Sequence, residues 1–259
     1  MTISGASNSS SERNAAVSLL FSRGARPSAG DIHSLVEGGA EFSVTFDPGE
    51  HVAGDDGGDA PVWLELLASG LSFDLSGLAP GSPADAPPHR RSLALDDESL
   101  HTLEAVTLTP GSHLAGGTGL MPVVRTLASL GASLARLEGV RAVAWHPSRC
   151  WNEPGLYRDS VLRWVGGGVF PALTLASLTV TADGGMHSEG LALFTGQELR
   201  LEPDMVGDQA EAAKLAVRLL DHLIERGRIA SRETIVGPHG APLRLEPSAN
   251  GRFVRICRD

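Results

Sequence analysis

The chain of 259 residues is 42% hydrophobic and 20% charged, and it carries a formal net charge of −10. Such a composition supplies a core for one domain or for two fused halves. The acidic balance argues against nucleic acid or an anionic membrane as the main partner, since both select clustered positive charge, and no apolar run approaches the ~18 residues of a membrane-spanning helix.

The chain opens with "MTISGASNSSSERN", which lacks the basic-then-apolar pattern of a leader. Residues 1–13 read as a disordered tail, and the expected location is the cytoplasm. Two cysteines, Cys150 and Cys257, stand outside any Cys-x-x-Cys pair, which fits reduced thiols there. "NAAVSLLF" (14–21) reads as a buried strand. "SAGDIHSLVEGG" reads as a helix opened by a capping-box pair, Ser28 and Asp31, and stopped by Gly38 and Gly39. Strands are expected at "EFSVTF", "VWLELL" and "LSFDL", with a solvated acidic loop, "DPGEHVAGDDGGDAP", after the first. The Pro- and Ala-rich "GLAPGSPADAPPHRRS" reads as an irregular surface excursion.

"LEAVTL" (103–108) is the next strand, followed by a helix carrying Pro122, Val123, Leu127, Leu130, Leu134 and Leu137 and ending at Gly139. "VRAVAW" is a strand, and a helix is expected from about Pro154 to Val165. "ALTLASLTVTA" and "GLALFTGQELRLEP" read as two long strands of a hairpin around the turn signal "DGG". Asp208 and Glu211 open a helix with Ala212, Ala216, Leu219 and Leu223 on one face and Gly227 at its end. "ETIVG" and "FVRIC" close the chain as strands. The order predicts an α+β fold of mainly antiparallel sheets with helices on one face. It suggests two ferredoxin-like halves, each a split βαβ unit, fused near residue 140 within one domain spanning 14–259.

Three stretches could carry chemistry. In "AWHPSRCWNEP" (144–154), Trp145 and His146 end a strand, Pro147 forces a turn, and Asn152 stands where a helix N-cap belongs. Trp151 could staple that helix by packing on Leu156 or Tyr157. The other reading is a pocket in which Cys150 and His146 pair for nucleophilic catalysis, giving a hydrolase or transferase near Trp145. "GSHLAGGTG" (111–119) has the spacing of a phosphate loop except that Gly117 replaces the lysine. Gly116, Gly117 and Thr118 therefore either cap the next helix or hold an anion or nucleotide at its N-terminus. In "GLALFTGQELRLEP", strand alternation puts Phe194 and Glu198 on the face opposite Leu191 and Leu199, where Phe194 could meet a partner. His187, Ser188 and Glu189 cannot converge if they are neighbours in one strand. No metal-binding pattern is spelled.

The strands and loops from "LEAVTLTPGSH" to "GLALFTGQELRLEP" also form a pattern. This part, roughly the C-terminal 60% of the chain, resembles a bacterial family catalogued as a domain of unknown function, number 4261. In that family a strand of type "avgvyw" precedes a tryptophan-bearing loop, and a G-[LM]-x-x-F-G-x-x-E-[LI]-E segment precedes a helix. Gly190, Leu191, Phe194, Glu198 and Leu199 match that segment, whereas Thr195 replaces its second Gly and Arg200 its last Glu. The resemblance implies a bacterial protein without an established reaction, and it marks Phe194, Glu198 and the Trp145–Trp151 region as family features. The leading expectation is a non-enzymatic binding or protein-interaction module. It needs no cofactor or metal, its partner is a protein or small molecule, and a homodimer stays open. The enzyme and the anion binder are the alternatives.

Overall fold

The computed structural model describes residues 15–48, 63–96 and 102–258. The expected tail at 1–13 and most of the acidic loop lie outside the described residues. The fold is α+β, built from two mixed sheets in which antiparallel pairs dominate.

Nine strands make the first sheet: β1 (Val17–Ser22), β2 (Ser43–Phe46), β3 (Trp63–Ala68), β4 (Leu71–Ser76), β5 (Ala84–Asp85), β6 (Arg91–Leu93), β7 (Leu103–Pro110), β8 (Val140–Trp145) and β9 (Cys150–Asn152). They lie in the order β2-β3-β4-β7-β1-β8-β9-β6, with β5 pairing on β7. Alternation along β1 sets the two faces. Val17, Leu19 and Phe21 point to the helical side, where Ile32 of α1 (Ala29–Glu37) and Val124, Leu127 and Ala128 of α2 (Met121–Leu134) join the main core. Tyr157, Val161 and Trp164 of α3 (Pro154–Val165) complete that layer. Ser18 and Leu20 point the other way. There Leu20, Ala105, Ala142, Ala144 and Trp151 form a second, smaller cluster, closed by Ala84 and Ala86 of the Pro-rich excursion and by Leu95 beyond it. That excursion is not wholly irregular, because β5 and β6 hydrogen-bond to β7 and β9.

The second sheet holds β10 (Ser177–Val180), β11 (Met186–Glu189), β12 (Glu198–Leu201), β13 (Glu233–Val236), β14 (Pro242–Pro247) and β15 (Phe253–Arg258), in the order β10-β11-β12-β15-β14-β13. Two antiparallel meanders meet at the parallel pair β12–β15, and α4 (Gln209–Arg226) makes the crossover. Asp208 caps α4 by accepting from the N–H of Ala210 and Glu211, and the helix ends at Gly227. Ala212, Ala216, Leu219 and Leu223 are buried as the period requires.

Several expectations are corrected. "ALTLASLTVTA" is a single helical turn, Ala172–Leu175, followed by β10; "GLALFTGQELRLEP" is a turn, Ala192–Thr195, followed by β12. The hairpin around "DGG" is therefore β10–β11. The second sheet is not a split βαβ unit, and the strands change sheet between Asn152 and Ser177, not near residue 140. β14 had no counterpart in the sequence reading. One core spans both sheets, since Leu19 and Trp145 share a cluster with Leu199 and Ile256.

Candidate functional site

The stretch Trp145–Pro154 folds as a tight β8–β9 connection. His146–Ser148 make one 3-10 turn, and Arg149 takes a left-handed conformation that lets β9 return antiparallel, pairing Trp145 with Cys150. Period two then separates the residues that catalysis would need together. Cys150 is buried on the helical side, with its Sγ 3.6 Å from Asn152 Oδ1 and 4.0 Å from Leu173 O. His146 Nε2 lies 2.8 Å from Ser18 Oγ, a side chain on the opposite face, and Ser18 Oγ is 2.8 Å from Thr107 Oγ1. Burial pushes the Cys150 thiol up to about 11 against the pull of Arg91. Burial also drives His146 down to about 4. An activated thiol needs the reverse, an exposed sulfur with a cationic neighbour.

Asn152 does not cap α3. It is fully buried, and its Nδ2 faces the carbonyls of Val143, Thr174 and Cys150 at 3.3, 3.4 and 3.5 Å, tying β8 and β9 to the 172–175 turn. Glu153 is the cap, accepting from Gly155 N–H at 2.8 Å and Leu156 N–H at 2.6 Å. Trp151 is no staple on Leu156 or Tyr157. It packs in the smaller cluster and stacks on His89, with ring centroids 3.9 Å apart. Trp145 is buried on the other face, 6.3 Å from the ring of Phe194.

Phe194 and Glu198 also turn inward, because their segment is helical before it is extended. Phe194 sits among Trp145, Trp164 and Phe170, at 6.0 Å from Trp164 and 5.0 Å from Phe170. Glu198 accepts from Ser188 Oγ at 2.5 Å and from the N–H groups of Gly190, Ala192 and Leu191 at 2.9, 3.0 and 3.2 Å. Its burial raises the carboxyl above its usual value, although each of these bonds favours the charged form. Gly190 has φ near +104, and a Cβ there would lie 2.9 Å from both Ser148 Cβ and Leu175 O. Gly190, Phe194 and Glu198 thus form one structural unit. Ser188 belongs to it, and His187 and Glu189 alternate to the other face, so the three neighbours do not converge.

The glycine-rich loop is closed on itself. Ser112–Gly117 form a 3-10 helix, Leu114 N–H bonds to Gly111 O, and Leu120 N–H bonds to Gly117 O. Thr118 does not cap α2, whose N-cap is Leu120 without a side-chain bond. A Cβ on Gly116 would meet nothing within 4 Å, so no close backbone approach explains that glycine.

No family model, curated protein or solved structure matches the chain. The site therefore rests on geometry alone, and two cavities are relevant. One, of about 330 Å³, lies beside α2 and includes Arg125, Glu41 and Ser133. Its guanidinium is already engaged, 5.1 Å from the Trp164 ring centroid and donating to Val165 O at 2.9 Å. The other, of about 490 Å³, runs between α4 and the β13–β14 hairpin. Leu215 and Leu219 form one wall, and Ile235, Val236 and Leu243 the other, with Arg218 and His222 among them. His222 Nε2 is buried with no hydrogen-bond partner among the described residues. Among the described residues no group of three acidic, His or Cys side chains could hold a metal.

This groove was missed in the sequence because its walls are far apart in the chain. The available signal was weak: Arg218 and His222 are one turn apart on a helix whose apolar face is already complete.

Proposed function

We propose that the chain is a non-enzymatic binding module of the bacterial cytoplasm, and that its recognition surface is the groove between α4 and the β13–β14 hairpin. One observation carries this reading. The groove is concave and mainly apolar, and its about 490 Å³ fall within the usual size of ligand sites. Its His222 Nε2 has no hydrogen-bond partner and its Arg218 no ion pair among the described residues, whereas His146, Cys150, Asn152 and Glu153 of the Trp145–Pro154 loop are all bonded within the fold. The cytoplasmic part is supported by two unpaired cysteines, Cys150 and Cys257. Membership in family 4261 is supported by the common task of Gly190, Phe194 and Glu198. A ferredoxin-like first half is supported by the antiparallel order β8-β1-β7-β4, in which a helix follows β1 and another follows β7.

The test is an NMR titration of the ¹⁵N-labelled protein with benzyl alcohol, a neutral apolar probe. Shifts should cluster at Leu215, Leu219, Ile235 and Gly237, and Leu215→Glu should abolish them while leaving the melting temperature within a few degrees. Shifts confined to other regions, or none at all, overturn the assignment.

A further inference from the structure

β13 is an edge strand: among the described residues it pairs with β14 alone. The free side of its ladder can be read from the pairing. Gly237 N–H donates to Ala241 O at 2.8 Å, and Pro242, opposite Val236, has no N–H to give. In an antiparallel ladder the hydrogen-bonded pairs alternate, so Glu233–Leu245 and Ile235–Leu243 are the bonded ones. The N–H and C=O groups of Thr234 and Val236 therefore face outward, and Val236 is 81% exposed. Such a row of unpaired backbone groups is a template for another strand.

The groove borders the second half of this edge, at Ile235 and Val236, and its charge is placed at one end. Arg226 pairs with Glu233 at 3.0 Å, which joins the C-terminal end of α4 to the start of β13. Eight residues back along the helix, about 12 Å, Arg218 reaches the level of the strand's end, about 10 Å from Glu233. Arg218 and Pro238 line the same groove there. No ion pair of Arg218 occurs among the described residues. An incoming strand would thus meet apolar walls from Leu215, Leu219 and Leu243, the unpartnered His222 nitrogen, and a free guanidinium where β13 stops.

We infer that the groove receives an extended segment of a partner protein, added as a strand on β13, whose inward side chains are apolar and end in an Asp or Glu on Arg218. This rests on the binding-module reading and names the occupant. Backbone bonds to Thr234 and Val236 supply affinity, and the alternate side chains in the groove supply selectivity. The guanidinium matches a carboxylate in shape as well as charge.

The experiment uses the full chain and doubly capped peptides. Ac-Glu-Thr-Val-Thr-Val-Thr-Glu-NH2 places Glu and Val on one face; its Gln counterpart removes only the charge, and a third version is N-methylated at alternate amides. The Glu peptide should bind at least about tenfold more tightly than the Gln peptide, a difference of about 1.4 kcal/mol, and should slow amide exchange at Thr234 and Val236. Arg218→Gln should erase that preference. Val236→Pro, a change that edge strands tolerate, and N-methylation of the peptide should each weaken binding about tenfold or more. Equal binding of the Glu and Gln peptides, or of the N-methylated one, overturns the proposal. If benzyl alcohol occupies the groove and no peptide does, the strand proposal fails while the binding-module reading stands. If neither binds there, both fail.

Discussion

At the scale of single residues, the side chains that look most reactive are absorbed by the fold. Cys150, His146, Asn152 and Trp151 lie within seven positions of each other, yet the pleat sends them to two faces of one sheet. His146 is the clearest case with a measurable consequence. Its folded-state value of about 4 lies below the ordinary 6.5 because burial disfavours the charged ring. The unfolded chain therefore takes up a proton below pH 6.5 that the folded chain refuses. Stability is full above that pH, falls as the pH drops, and by pH 4 has lost on the order of 3 kcal/mol through this group. The depressed value of His187 acts in the same sense. The raised value of Glu198 opposes both, since it favours the folded state as the pH falls through it. His146→Gln, which keeps a polar group near Ser18, should reduce the loss between pH 7 and 4.5 in urea unfolding. An equal loss in variant and parent would assign the acid sensitivity elsewhere.

At the scale of elements, Glu198 is the acceptor that lets the 190–195 segment turn. Three N–H groups and one hydroxyl converge on its carboxylate, and hydrogen bonds to a charged group contribute roughly 1.5–3 kcal/mol each. Those contributions overlap and are offset by desolvation, so Glu198→Ala should cost at least about 2 kcal/mol, with Glu198→Gln in between because one oxygen remains. Equal effects of the two substitutions would show that side-chain volume matters and the acceptor does not. Two expected strands open instead with a helical turn. "ALTL" and "ALFT" carry strand-like residues, but each forms only one turn of helix, too short for its period to emerge from four positions. By contrast, α1 and α4 carry their caps and stops in the chain and are legible from end to end.

At the scale of the whole molecule, the two sheets share one core, and Phe194 stands at their junction. Its ring meets Trp145 of the first sheet and both Trp164 and Phe170 of the connecting segment. Such sharing makes unfolding a single cooperative event. Near-UV and far-UV circular dichroism should therefore give coincident thermal transitions. Phe194→Ala should lower stability by about 3–5 kcal/mol, the usual cost of a buried Phe truncation, and keep the transitions coincident in the parent's manner. Two separated transitions in the parent would show that the halves fold independently.

The sequence by itself determined the α+β class, most strands of the first sheet, and α1 and α4 with their caps and stops, whereas α2 ends at Leu134, before the expected stop at Gly139. Each of these follows from short-range physics: periodicity of two or 3.6, capping chemistry, and glycine or proline at a turn. What only the tertiary structure decided depends on which distant segments meet. Pairing along β8–β9 placed Cys150 and His146 on opposite faces, moved the helix cap from Asn152 to Glu153, and left Asn152 to bridge three carbonyls. The order of the second sheet put β13 at an edge beside α4, which brought Arg218 and His222 to a groove with Ile235 and Val236. Local pattern sets how a residue points within its element. Strand order and register set what it points at, and both are resolved by long-range burial that no window of sequence contains.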